Sequence, residues 1–155
     1  MGLVSRQITT AEFTSLRRIL NANDWALHLA PAFPDTKAAL RGSSFGVVIS
    51  VGCCAGGHGW KDVLHEIQGI PTPPQLIVAD RLADEALWAE VLNLGCYDLL
   101  VMPFATDEVL RVVPMAWNFW EREQERAVAH PKPSKPARLG SQHSRMPLAA
   151  GADSQ

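Results

Sequence analysis

The residues best suited to chemistry crowd into one short loop, Gly52-Cys53-Cys54-Ala55-Gly56-Gly57-His58-Gly59. Glycines let backbone amides approach a phosphate, yet the loop carries neither the G-x-x-x-x-G-K-[ST] nor the G-x-G-x-x-G spacing of a nucleotide site. The thiols of Cys53 and Cys54 and the imidazole of His58 are donors that suit a soft metal ion or an oxidation sensor, with Cys96 as a further ligand. Two adjacent cysteines do not easily point at one ion, so the competing reading is a plain loop with packed thiols. His28 and His65 fall on a strand and a helix with no nucleophile beside them. The tryptophans Trp88, Trp117 and Trp120 are the other notable residues. They serve either as helix-to-sheet packing or as an aromatic surface for a partner.

These residues must be positioned by secondary structure, and the apolar pattern of the 155-residue chain supplies it. Leu3-Val4 starts a short strand. Thr9 and Glu12 have capping-box spacing for a helix bearing Phe13, Leu16, Ile19 and Leu20. Trp25 to Leu29 alternates as a strand does and is broken by Pro31 and Pro34, before a short helix through Ala38 to Leu40. Phe45 to Ile49 and Leu76 to Ala79 are continuous β-rich runs, expected of central parallel strands buried on both faces. Between them Trp60, Val63, Leu64 and Ile67 form the stripe of an amphipathic helix. Leu82 to Leu94 reads as helix with Gly95 as its C-terminal cap, and Leu99 to Val101 as the last strand. Thr106 is the expected cap of a final helix, which Pro114 should kink or deprive of a hydrogen bond. Five βα units in succession predict an α/β fold, a doubly wound parallel five-stranded sheet with helices on both faces.

Composition limits the function classes. The 47% hydrophobic content is sufficient for one core, and no apolar run reaches eighteen residues. With no export signal in MGLVSRQITT, the expectation is a cytoplasmic protein with reduced thiols and no membrane contact. The formal charge of −2 is unevenly spread. From Ala127 onward Lys132, Lys135, Arg138 and Arg145 face a single acid, Asp153, which makes that segment +3 and the remainder −5. Such a distribution argues against a globular nucleic-acid-binding face. Residues 1–121 are expected to form the domain, and 122–155 the end of the last helix with a basic, proline-containing, disordered tail.

Gly95-Cys96-Tyr97-Asp98-Leu99-Leu100-Val101-Met102-Pro103-Phe104 resembles the signature that closes the response regulator receiver domain, the CheY-like, flavodoxin-like fold of bacterial two-component signalling. The resemblance extends over residues 3–120 and includes Gly59-Trp60 and Pro74. It implies a sheet of five parallel strands and a cis bond before Pro103. It also implies partner docking, or pairing of two copies, through the fourth helix, fifth strand and fifth helix, where Trp88, Trp117 and Trp120 are expected to contribute.

The same resemblance marks where phosphoryl chemistry would reside, and the residues there are unsuited to it. The acidic pair falls on Ser5 and Arg6, the phosphoacceptor on Val51, the hydroxyl on Ala79, the lysine on Met102 and the switch aromatic on Leu99. No Asp or Glu occurs from Phe45 to Lys61, so neither magnesium nor a phosphoryl group finds oxygen ligands there. One acid, Asp80, follows the fourth strand near the expected pocket, and a single carboxylate is a poor magnesium site. The resulting expectation is a pseudo-receiver of a two-component or phosphorelay system that works by protein–protein contact, with no catalytic residue, cofactor or metal. The alternative is the thiol or metal sensor built on Cys53, Cys54 and His58.

Overall fold

The computed structural model describes residues 2–5, 9–51 and 58–130. Strands β1 (Gly2–Ser5), β2 (Leu27–Ala30), β3 (Val47–Val51), β4 (Gln75–Asp80) and β5 (Asp98–Val101) alternate with helices α1 (Thr10–Asn21), α2 (Phe33–Gly42), α3 (Trp60–Gln68), α4 (Glu85–Asn93) and α5 (Thr106–Ala129). All pairings are parallel, in the order β2-β1-β3-β4-β5. The strand order reverses between β1 and β3, the point where open α/β sheets place their ligands at the strand C-terminal ends.

The sheet separates two apolar clusters. On one face Leu16 and Leu20 of α1 meet Ile49, Ile77 and Leu100, with Val109 and Val112 of α5. On the other, Val48, Val78 and Leu99 pack against Val63 and Ile67 of α3 and Val91 of α4. Val47, Val48, Ile77 and Val78 are fully enclosed, which is why β3 and β4 read as unbroken apolar runs. Each such side chain contributes about 1.5–3 kcal/mol on leaving water.

Local chemistry fixes most boundaries. The Thr9 hydroxyl accepts from the Glu12 amide at 3.3 Å while the Glu12 carboxylate accepts from the Thr9 amide at 2.9 Å, a reciprocal capping box. Gly95 follows α4 with φ of +94°, a backbone state in which a Cβ would be strained.

Several sequence expectations are corrected. Trp25 lies before β2, because Asp24 turns the chain at φ 60° and the Trp25 amide bonds back to the Leu20 carbonyl. The fourth helix starts at Glu85, not Leu82, because the Asp84 carboxylate accepts from the Leu87 amide at 2.7 Å and serves as its cap. Thr106 is the first residue of α5 and Ala105 its cap, so no side chain caps that helix. As expected, α5 extends past residue 121; it runs to Ala129 with Pro114, which has no N–H to donate, inside it. The segment from 131 to 155 lies outside the described residues.

Candidate functional site

At the C-terminal end of the sheet, Val51 pairs in register with Ala79, and Ser5 with Ser50. The Met102 amide donates to the Asp80 carbonyl at 3.0 Å and ties the end of β5 to β4. Val51, Ala79 and Met102 are 8, 0 and 4% exposed and belong to one apolar cluster. Three apolar side chains therefore close the sheet end where a phosphoryl site would need oxygen and nitrogen ligands. The Met102–Pro103 peptide is cis. Arg6 lies outside the described residues.

The charged groups Asp80, Arg81 and Glu12 at this end are each engaged within the fold. Asp80 Oδ1 accepts from the Leu82 amide at 2.8 Å and shapes the turn after β4. The neighbouring Arg81 reaches across to Glu12 at the start of α1, with the guanidinium 2.5 Å from Oε1. Burial pushes the Glu12 carboxyl up, but hydrogen bonds from the Thr9 amide and hydroxyl and the Arg81 charge outweigh it and hold it below the ordinary value. Nothing in the sequence signals this pair, because its members are 69 residues apart.

The metal or thiol arrangement is not assembled among the described residues. His58 stacks on Phe33 with ring centroids 4.6 Å apart, and its Nδ1 lies 3.7 Å from Asp62. Cys53 and Cys54 lie outside the described residues. Cys96 precedes β5, at the sheet end opposite the loop that follows β3, so it cannot join a ligand set with His58. It is buried among apolar side chains, which pushes its thiol up to about 11. No group of three His, Cys, Asp or Glu suited to a metal ion occurs among the described residues.

The three tryptophans do not share a face. Trp88 on α4 is 51% exposed and stands over a groove of about 310 Å³ that is floored by Leu99 and Val101 and walled by α5. Trp117 and Trp120 turn away to the start of β3. There their rings lie 5.0 Å apart, Trp117 meets Trp25 edge-on at 5.4 Å, and both close over Gly46. Their helical spacing of three residues put them on one stripe, but that stripe faces the sheet. The large apolar residues that α5 exposes are instead Met115, Phe119 and Val128, at 54, 46 and 81%, with Phe119 near Tyr97 at 6.0 Å. The groove between α4, β5 and α5 thus keeps one of its three expected tryptophans.

No protein-family model and no curated protein matches the sequence. Solved structures do match. A signal receiver domain from Vibrio parahaemolyticus superposes with a TM-score of 0.72 at 15% identity, covering 81% of this chain and 95% of that one. A CheY-like response regulator receiver domain from Methanospirillum hungatei gives 0.67 at 16%, covering 79% and 97%. The signal receiver domain of an HD-domain-containing protein from Pseudomonas fluorescens gives 0.70 at 21%, covering 81% and 92%. The chain therefore has the fold of a response regulator receiver domain, a flavodoxin-like α/β sandwich. Among the described residues no helix is long and apolar enough to cross a membrane.

Proposed function

We propose that this protein is a receiver-like signalling module of a two-component or phosphorelay-type pathway that acts through protein contact, without aspartyl phosphorylation and without enzymatic activity. The observation that carries the reading is the apolar closure of the strand ends by Val51, Ala79 and Met102. Phosphoryl transfer to a receiver needs an acceptor carboxylate, a hard cation held by further carboxylates, and a cation facing the transferred oxygens. Here Val51, Ala79 and Met102 offer neither a hard oxygen ligand to such a cation nor a charge to a phosphate. The docking surface is the groove between α4, β5 and α5, where Trp88 and Val101 remain exposed. Its partner is a protein of the pathway or a second copy of the chain.

The test is a titration of the ¹⁵N-labelled protein with magnesium and beryllofluoride or acetyl phosphate. The expected outcome is an unchanged amide spectrum. Shifts clustered at residues 51, 79 and 102 would overturn the proposal.

A further inference from the structure

The groove under Trp88 has an uncompensated charge. Asp84 and Glu85 stand at one rim, Asp98 at the start of β5, and Glu108 and Arg111 on α5, so four carboxylates face one guanidinium. Asp84 and Asp98 each use one oxygen on a backbone amide, at 2.7 and 2.8 Å, and keep the other. None of these five groups has an ion-pair partner among the described residues. An exposed indole beside carboxylates is the chemistry that receives a guanidinium, through its ring face and its charge together.

A second groove, of about 820 Å³, lies between Pro71 to Pro73 and the end of α5. There Glu123 and Arg126 already pair at 2.9 Å, so it has no net charge to offer.

We infer that the groove under Trp88 is occupied in the free protein by the chain's own basic C-terminal segment, with Arg138 and Arg145 as the inserted groups. The inference rests on reading that groove as the docking surface. The polarity is complementary, +3 from Ala127 onward against −5 before it. Reach selects the residues. At ~1.5 Å rise per residue, Arg111 lies about 27 Å back along α5 from Ala129. An extended chain gains ~3.3–3.6 Å per residue, so Arg138, eight residues past His130, spans that distance and Arg145 does so with slack. Lys135, five residues past His130, gains only about 17 Å and falls short. Tethering supplies an effective concentration on the order of millimolar, so weak contacts suffice. A protein partner must displace the segment, which makes the C-terminus a built-in competitor for the docking face.

The full-length ¹⁵N-labelled chain tests this through the Trp88 indole N–H signal, assigned by its loss in Trp88→Phe. At low salt, Arg138→Glu/Arg145→Glu should move that signal away from its position in the unmodified chain. About 1 M NaCl, where the Debye length is near 3 Å, should move the unmodified chain to the same position. Lys132→Glu/Lys135→Glu should move it less, and dilution should leave it unmoved. The inference is overturned if the low-salt signals of the unmodified and arginine-reversed chains coincide. A larger effect from the lysine pair, or a signal that follows protein concentration as pairing between copies would require, overturns it equally. The beryllofluoride titration is blind to these variants, so each reading can fail without the other.

Discussion

A methyl group added at Gly46 should destabilise the fold more than any other single small change near the sheet. Built on the observed backbone, that Cβ would lie 2.5 and 2.6 Å from two ring carbons of Trp117 and 2.7 Å from one of Trp120. Ordinary contacts begin near 3.5 Å, so the rings would have to retreat by almost an ångström. They have little room to do so. Trp117 is held edge-on by Trp25, and Trp120 by Trp117, while the Gly46 carbonyl is fixed by the Gln75 amide at 2.8 Å. Overpacking of this kind costs about 1–3 kcal/mol. At roughly 4 °C per kcal/mol for a domain of this size, Gly46→Ala should lower the melting temperature by roughly 4–12 °C. Gly42→Ala is the control, since nothing lies within 4 Å of its Cβ and it ends α2 in helical conformation. It should be neutral or stabilising by about 0.4–1 kcal/mol. Calorimetry of both variants decides the matter. Equal melting temperatures for Gly46→Ala and the unmodified chain would refute the argument and show the indoles to be loosely held.

Four further outcomes follow from the site. Glu12 titrates below its ordinary value when folded, so its contribution to stability is complete above the unfolded carboxyl value near 4.5 and is lost as pH falls through the folded one. Arg81→Ala should flatten that acid-side slope in chemical denaturation at stepped pH, and an unchanged slope would discount the pair. Thr9→Ala should cost about 1 kcal/mol through the lost cap, measured by the same method. Cys96, raised to about 11 and buried, should stay unmodified by a thiol reagent at pH 8 until the protein unfolds; rapid labelling of the native state, located by mass spectrometry, would contradict its burial. Val51→Asp should lose about 1–3 kcal/mol by placing a carboxyl among apolar neighbours, and should still give no spectral response to beryllofluoride, since Ala79 and Met102 supply no partner.

The five strands and the doubly wound order were legible because β3 and β4 are buried on both faces and so read as unbroken apolar runs. The amphipathic stripe of Trp60, Val63 and Ile67 was equally plain, all three being buried as its period requires. Element ends were legible at Thr9, whose side chain caps its own helix, and at Gly95, whose positive φ closes α4. The caps Asp84 and Ala105 are hidden in the sequence, because a capping residue type such as Asp84 or Thr106 does not reveal whether it is the last extended or the first helical residue. At the site, the residue types at positions 51, 79 and 102 were readable along the chain. The bridge from Arg81 to Glu12 and the inward turn of Trp117 and Trp120 were not. Both depend on which side of the sheet a helix lands, a property of crossover handedness and not of local spacing.

The edge strand β5 has a mechanical consequence. Helices α1 and α5 share one apolar layer and α2, α3 and α4 the other, with the sheet as a wall between them. Along the groove under Trp88, one wall comes from each layer, and only the four residues of Asp98–Val101 lie between. A molecule seated there clamps the two layers to each other at the sheet's margin. Its binding energy resists their separation as well as the melting of either, so occupancy should make unfolding more cooperative, and hydrogen exchange in α4 and in α5 should slow in step.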